Sequence, residues 1–194
     1  MQTTDIEVKP ELYIGIALGL LFLPVQWVGA WLLASVVHEL FHYIVIRLCR
    51  VPVFRLQIGI GGVLMHTAAM SAWQELLCAI AGPISGFLLF FIAKYYPALA
   101  ICGCVQSVYN LLPLFPMDGG RVLKSALYLL FRAPFAVKLF NILQKIVLGI
   151  LAVLALYMSF KLLLGPLPLL FLLLLLWKNG TIKFPCIAGT KAVQ

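Results

Sequence analysis

Long uncharged stretches follow one another along this chain and constrain its fold more than any other feature of the sequence. The first stretch runs from Leu12 to Val37 without a single acidic or basic residue. One membrane-spanning helix needs about 20 apolar residues, so this stretch is too long for one helix and too short for two full spans. Of the 194 residues, 64% are hydrophobic and 10% are charged, whereas soluble domains are about 45–50% apolar and about 25% charged. The composition therefore excludes a soluble domain and indicates a polytopic membrane protein.

The fold class predicted from these stretches is an all-α polytopic membrane protein with about six transmembrane helices. Pro24 divides the first stretch into two helices. The expected spans are Leu12–Leu23, Val28–Cys49, Leu76–Ala93, Tyr95–Met117, Leu139–Phe160 and Leu162–Trp177. Residues 51–70 differ from the rest, because glycines alternate there with β-branched side chains, which favours a short β-hairpin or re-entrant segment. We expect residues 1–194 to form a single membrane-embedded domain.

The basic residues predict how the chain is oriented in the membrane. The chain has 14 Lys and Arg against 6 Asp and Glu, and the basic residues lie between the apolar stretches, where they meet anionic lipid headgroups. Nucleic-acid binding requires a continuous basic face, so no nucleic acid is expected as a partner. With six spans and a cytosolic N-terminus, Lys94 and Lys161 are the only basic loop residues outside. Cytosolic loops are enriched in Lys and Arg, which favours cytosolic N- and C-termini.

Ionisable side chains inside a membrane helix are the first candidates for function, because a charge at mid-bilayer costs roughly 2.5–3.5 kcal/mol. The second predicted span carries His38, Glu39 and His42 as H-E-x-x-H. Residues four apart share one face of a helix, so both imidazoles can reach one metal ion, and the adjacent Glu39 can take a proton from a water molecule. The simpler alternative is a pair of histidines that form hydrogen bonds between helices, which leaves the Glu39 carboxylate without a basic partner nearby.

A third metal ligand must come from elsewhere, since catalytic zinc sites usually have three protein ligands and one open position. Asp118 ends an uncharged stretch in a segment broken by prolines and glycines, and such breaks at membrane depth require a buried or wet setting. The alternative is that Asp118 begins a helix and pairs with Arg121. Glu75 begins the third span and is expected to be solvated or to lie at a helix N-terminus. His66, the remaining histidine, is expected to be an ordinary surface residue.

These motifs resemble those of the site-2 proteases, a family of intramembrane zinc metalloproteases. The resemblance covers about residues 12–132, and its layout is closest to the compact six-span branch that contains the sporulation protease of a pro-sigma factor. No CBS domain is present in the sequence, and Phe41 stands where the family commonly has Gly. The motifs that carry the resemblance are His38-Glu39-Leu40-Phe41-His42, Gly61-Gly62, Ala81-Gly82-Pro83 and the stretch Asn110, Pro113, Pro116, Asp118-Gly119-Gly120.

The resemblance implies one Zn²⁺ per chain and hydrolysis of peptide bonds in membrane-embedded or membrane-associated proteins. It implies a catalytic core over about residues 12–132 with additional helices over about 136–178, in a bacterial cell membrane, with the active site toward the cytosol. The expected partners are the lipid bilayer, a membrane-bound substrate such as a pro-sigma or anti-sigma factor, and regulatory membrane proteins. The implied roles are metal binding by His38, His42 and Asp118, general base catalysis by Glu39, and substrate binding by Asn110, Gly61 and Gly62.

Two other functions stay open at this stage. A divalent-metal transporter would place histidines and acids along several spans, whereas the sequence concentrates them in one cluster. A catalytically inactive relative would serve as a scaffold that binds membrane helices. A membrane protease of the CAAX type also holds its metal in membrane helices, but it takes a Glu in its later ligand set and no Glu follows Glu75 in this sequence.

Overall fold

Prolines and one capping motif determine where the helices begin. Pro24 separates the first two helices, and Pro97 occupies the first position of a later one, where its missing N–H has no intrahelical partner in any case. Ser71 and Gln74 form a capping box: Ser71 Oγ accepts from the Gln74 N–H at 3.3 Å, and Gln74 Oε1 accepts from the Ser71 N–H at 3.0 Å. This reciprocal pair satisfies two backbone donors that the helix leaves free.

The structure is a computed structural model, and it describes residues 5–59, 62–161, 165, 168–170, 172 and 173. Nine helices and strands within these residues position the site. The helices are α1 (Glu11–Phe22), α2 (Val25–Leu48), α3 (Ala72–Leu88, continued by a 3-10 turn over Leu89–Ile92), α4 (Pro97–Asn110), α5 (Asp118–Leu130) and α6 (Ala133–Phe160), and the strands are β1 (Asp5–Val8), β2 (Val53–Gly59) and β3 (Gly62–Thr67).

Among the described residues, three helices are long and apolar enough to cross a membrane, namely α2, α3 with its 3-10 extension, and α6. The membrane character of the chain agrees with the expectation, and the count of six spans stays a prediction. The predicted first span is the 12-residue α1, and the predicted fourth is the 14-residue α4, both shorter than the roughly 20 residues of a full span. α4 stops at Asn110 because Pro113 and Pro116 follow it closely. Most of the predicted span Leu162–Trp177 lies outside the described residues.

The expected hairpin near residues 51–70 is confirmed, and it belongs to a three-stranded sheet. β2 and β3 pair antiparallel, with Gly59 opposite Gly62. β1 pairs parallel to β2, so that the strand order is β1-β2-β3 and the fold is not purely helical. The polar N-terminal segment gave no expectation of a strand. Side-chain pairs between β1 and β2 stabilise the N-terminal strand. Gln57 Nε2 donates to Glu7 Oε2 at 2.8 Å, and Arg55 lies 3.8 Å from Asp5.

α3 is the central helix, packed against α2, α4 and α5. It approaches α4 through glycines, because a Cβ atom on Gly86 would overlap the Gly103 carbonyl. Pro83 lies inside α3, and membrane helices tolerate such a break where neighbouring groups bond the freed backbone. The carbonyl that loses its partner is that of Ala79, four residues before Pro83. A separate bond, from Ser107 Oγ to the Pro83 carbonyl at 2.9 Å, links α4 to α3. This close packing places the small residues of α3 beside the polar residues of α2.

Candidate metal centre

Two imidazoles from one face of α2 form the first part of the site. His38 and His42 lie one helical turn apart, both are buried, and their ring centroids are 4.8 Å apart. Their Nε2 atoms approach each other to 3.1 Å. The one-face arrangement expected from the H-E-x-x-H spacing is therefore present in the structure.

Asp118 reaches the two histidines from the start of α5. Its Oδ2 atom lies 3.0 Å from His38 Nε2 and 3.1 Å from His42 Nε2. The next two residues are glycines, and a Cβ atom on either would overlap the backbone carbonyls of the preceding loop, of Leu111 for Gly119 and of Leu114 for Gly120. The first turn of α5 thus packs directly on that loop, which brings the carboxylate to α2.

The three side chains fit a single metal ion. Their converging atoms, two imidazole nitrogens and one carboxylate oxygen, are 3.0–3.1 Å apart, near the spacing of ligands that are each roughly 2.0–2.2 Å from a tetrahedral zinc. His42 Nδ1 donates to the Cys78 carbonyl at 2.7 Å, which leaves Nε2 as the ligating nitrogen. The residues are 3%, 5% and 7% exposed. They form a buried group that could hold one metal ion, as expected from the sequence.

Glu39 lies beside this group and is oriented by the hairpin. Its Oε1 atom accepts a hydrogen bond from the Val63 N–H of β3 at 3.1 Å. Gly62 has φ of +108°, and a Cβ atom there would lie 2.9 Å from Glu39 Oε1, so a side chain at this position would press on the carboxylate. Gly62, expected to bind substrate, therefore also makes room for Glu39. Gly61 lies outside the described residues.

The other candidate residues are divided between the site and the surface. Asn110, the last residue of α4, places Nδ2 at 3.3 Å from His38 Nε2. His66 is exposed on β3, and its Nε2 lies 3.2 Å from Gln57 Oε1, so it does not join the metal group. Phe41 is half-buried on α2.

Arg121, which contacts Asp118, forms an ion pair with Glu75 that the sequence did not indicate. Arg121 Nε donates to Glu75 Oε1 at 2.7 Å, and Arg121 Nη1 lies 3.5 Å from Asp118 Oδ1. Glu75 is therefore not simply solvated, because α3 brings it against the guanidinium of α5. The two interpretations of Asp118 are not exclusive: one carboxylate oxygen faces the histidines and the other faces Arg121. The three-residue spacing of Asp118 and Arg121 indicated that these two residues pair. No feature of the sequence indicated that Glu75 joins them.

Gly82 of α3 lies directly against the metal group. A Cβ atom on Gly82 would lie 2.6 Å from His38 Nε2 and closer still to His42 Nε2. Real Cβ atoms essentially never make contacts this short, and both rings are buried. The motif Ala81-Gly82-Pro83, part of the family resemblance, had drawn attention to this glycine. It did not indicate what the glycine contacts.

Comparison with known proteins finds relatives that are named as zinc metalloproteases. No protein-family model matches the chain. A zinc metalloprotease of Methanocaldococcus jannaschii is 35% identical over 107 residues, which cover 47% of this chain and 31% of that protein. A Synechocystis sp. protein, also named as a zinc metalloprotease, is 33% identical over 114 residues, which cover 50% and 30% of the two chains. The matched region thus spans about a third of the length of these relatives.

A solved structure matches nearly the whole chain. The site-2 protease from Methanocaldococcus jannaschii superposes with a TM-score of 0.63 at 19% sequence identity, covering 96% of this chain and 97% of that one. Local sequence and overall fold therefore both confirm the resemblance: this chain has the site-2 protease fold, with a buried two-histidine, one-aspartate group in its interior.

Proposed function

We propose that this chain is an intramembrane zinc metalloendopeptidase. The observation that carries the proposal is the convergence of His38 Nε2, His42 Nε2 and Asp118 Oδ2 within 3.1 Å of one another. Glu39 lies next to His38 on α2. The names of the relatives, which are zinc metalloproteases, support zinc as the metal. Zinc with three protein ligands and one open position is the arrangement that hydrolytic enzymes use.

Each residue of the site has a separate role in the proposed hydrolysis. A zinc ion held by the three ligands would supply Lewis acidity toward the scissile carbonyl and lower the pKa of water. Glu39 takes the proton of the attacking water and delivers it to the leaving amine, as a general base that becomes a general acid. The Val63 N–H holds one oxygen of Glu39 at 3.1 Å, which leaves the other oxygen for the proton. Asn110, beside His38, can donate to the substrate carbonyl where negative charge develops.

The hairpin offers a way to hold the substrate extended. A membrane helix hides its own peptide bonds, so the segment to be cut must unwind. In the strand order β1-β2-β3, β3 has a neighbour among the described strands on one side only. An unwound segment can add to such an edge through main-chain hydrogen bonds. Because β3 also orients Glu39, a substrate strand on this edge would run past the general base.

The position of the site along α2 supports cleavage toward the cytosolic side. His38, Glu39 and His42 lie in the second half of α2, which ends close to Arg47 and Arg50. Since cytosolic loops are enriched in basic residues, we propose a multi-pass protein of a bacterial cell membrane with its active site near the inner face. A membrane-bound regulatory protein such as a pro-sigma or anti-sigma factor is the proposed substrate class.

Metal content and metal-dependent cleavage test the proposed function together. We expect detergent-purified protein to hold about one zinc per chain and to cut at least one of a panel of membrane-spanning peptides in phosphatidylcholine vesicles. Removing zinc with a chelator should stop cleavage, and adding zinc back should restore it. Zinc binding without cleavage of any peptide would favour an inactive helix-binding scaffold. Protein that holds no zinc under metal-replete conditions would overturn the proposal.

Arg121 is expected to act as a positioning residue for Asp118. Replacing Arg121 with Gln should lower zinc affinity by about 10- to 100-fold, the usual effect of losing a partner of a metal ligand, because Asp118 Oδ1 and Glu75 lose their cation. Arg121→Lys should recover only part of the affinity, since Lys cannot reproduce the guanidinium fork. Zinc affinity is measured by competition with a chelator. Arg132→Gln, a matched change at an exposed arginine, should keep wild-type affinity; Arg121→Gln within twofold of wild type would refute the role.

A further inference from the structure

One side of α6 carries polar and small side chains although the helix is apolar and long enough to span a membrane. They recur every three or four residues, so they share one face of the helix. Together they line a groove of about 520 Å³, here termed the α6 groove. Its lining residues are Asn141, Gln144, Lys145, Leu148, Gly149 and Ala152.

Gln144 lines the α6 groove, and its amide donor has no acceptor among the described residues. The residue is 7% exposed, and its Nε2 atom has no hydrogen-bond partner among the described residues. An amide donor buried without a partner is unfavourable, more so in a membrane where water cannot replace the missing bond. The Nε2 atom is itself buried, so the side chains that the groove presents to an occupant are its exposed ones.

Lys145 adds a positive charge next to this donor. It lies near the middle of the 28-residue α6 and lines the groove, and no described residue forms an ion pair with it. An ionised side chain at membrane depth is unfavourable unless it is paired or reaches the interface. The exposed Lys145 and Asn141 thus present one cation and one amide group, and a carboxylate is the acceptor that complements them best.

None of the six acidic residues in the sequence is placed to pair with Lys145. Two of its six acidic residues lie at the metal group and Glu75 pairs with Arg121. The other three lie at the N-terminus, and no acidic residue follows Asp118 in the sequence. The apolar segment of residues 162–176, next in the chain after α6, contains only Leu, Gly, Pro and Phe. An acidic side chain of another molecule would supply this carboxylate.

The shape of the α6 groove suits a helix. Nothing lies within 4 Å of the position where Gly149 would carry a Cβ atom, and Ala152 continues the small surface one turn further on. Small residues let membrane helices approach closely enough for interhelical hydrogen bonds. We propose that the α6 groove binds a transmembrane helix of another protein that carries Asp or Glu near mid-membrane. This inference goes beyond the proposed peptidase activity, since α6 contributes none of the metal-group residues.

Binding of a synthetic helix tests the proposal. The probe is a fluorescent polyleucine transmembrane peptide with one central Glu, compared with the same peptide carrying Leu instead. Both are measured by energy transfer to the labelled full chain in phosphatidylcholine vesicles, at dilutions where the peptides are monomeric. We expect the Glu peptide to bind about 3- to 30-fold more tightly, the range of interhelical hydrogen bonds in membranes. Lys145→Leu should remove this preference, and Lys145→Arg should retain it.

Controls separate the groove from the rest of the chain. Lys161→Leu removes an exposed lysine at the end of α6 and should leave the preference intact, as should Glu39→Gln, whether or not the chain proves to be a peptidase. Circular dichroism of each variant shows that it remains helical. Equal binding of the two peptides by wild-type protein would overturn the proposal, with Lys145 then only reaching toward the interface. A preference that persists in helical Lys145→Leu protein would also overturn it.

Discussion

Replacing Gly82 with alanine is expected to abolish zinc binding and, with it, peptidase activity. The added Cβ atom would lie 2.6 Å from His38 Nε2 and closer still to His42 Nε2, the two nitrogens proposed to hold the metal. Neither ring can retreat easily, because both are buried and His42 Nδ1 is bonded to the Cys78 carbonyl of α3 itself. We expect zinc affinity to fall by at least about 100-fold, beyond the usual loss from a partner of a ligand.

Gly29→Ala is the matched control for Gly82→Ala. Gly29 also lies in a membrane-spanning helix, α2, but nothing lies within 4 Å of its Cβ position. This variant should bind zinc as wild type does, which separates the steric effect from the general effect of alanine in a helix. Zinc per chain and chelator competition are measured for both variants in detergent. Helical Gly82→Ala protein with wild-type zinc affinity would show that the metal lies elsewhere.

The histidines of the proposed metal group could be predicted from the sequence because their signal is local. The four-residue spacing of His38 and His42 is enough to place both rings on one face of any helix. The residues around Asp118 left two interpretations open, and its place in the group was implied by the resemblance to the site-2 proteases. The contacts of Gly82 and Glu75 had no comparable signal, because they depend on how α3 crosses α2 and α5. Such contacts between helices follow from packing and leave no periodic pattern in the sequence.

The same distinction explains which parts of the fold could be predicted. Alternating β-branched residues and glycines indicated the β2–β3 hairpin, whose strands are adjacent in the sequence. β1 pairs with β2 from about 50 residues away, as Asp5 lies opposite Arg55, and four polar or mixed residues carry too little pattern to predict a strand. Apolar stretches predicted where helices occur better than how long they are. Pro10 and Pro24 limit α1 to 12 residues, although the uncharged stretch itself continues beyond it.

Replacing Glu39 with glutamine is expected to lower peptidase activity by about 10²- to 10⁴-fold, the contribution of a general base, while zinc binding remains. The amide oxygen of glutamine can still accept the hydrogen bond from the Val63 N–H, which Glu39 Oε1 receives at 3.1 Å. The side chain therefore keeps its place, but it can no longer accept a proton from water. Glu39 is also not among the three residues whose atoms converge, so the metal keeps its ligands. Cleavage of a membrane-spanning peptide and zinc per chain are measured on the same preparation.

Glu11→Gln is the matched control, because Glu11 is exposed at the start of α1 and is not part of the metal group. It should retain both activity and zinc, which shows that loss of one carboxylate is not itself harmful. Glu39→Gln and Gly82→Ala should then differ in one measurable respect: both are inactive, but only Gly82→Ala has lost its metal. If Glu39→Gln instead cuts at more than about a tenth of the wild-type rate, below the minimum effect of a general base, another group takes the proton. If it loses its zinc, Glu39 contributes to metal binding, and its proposed role as a general base alone is wrong.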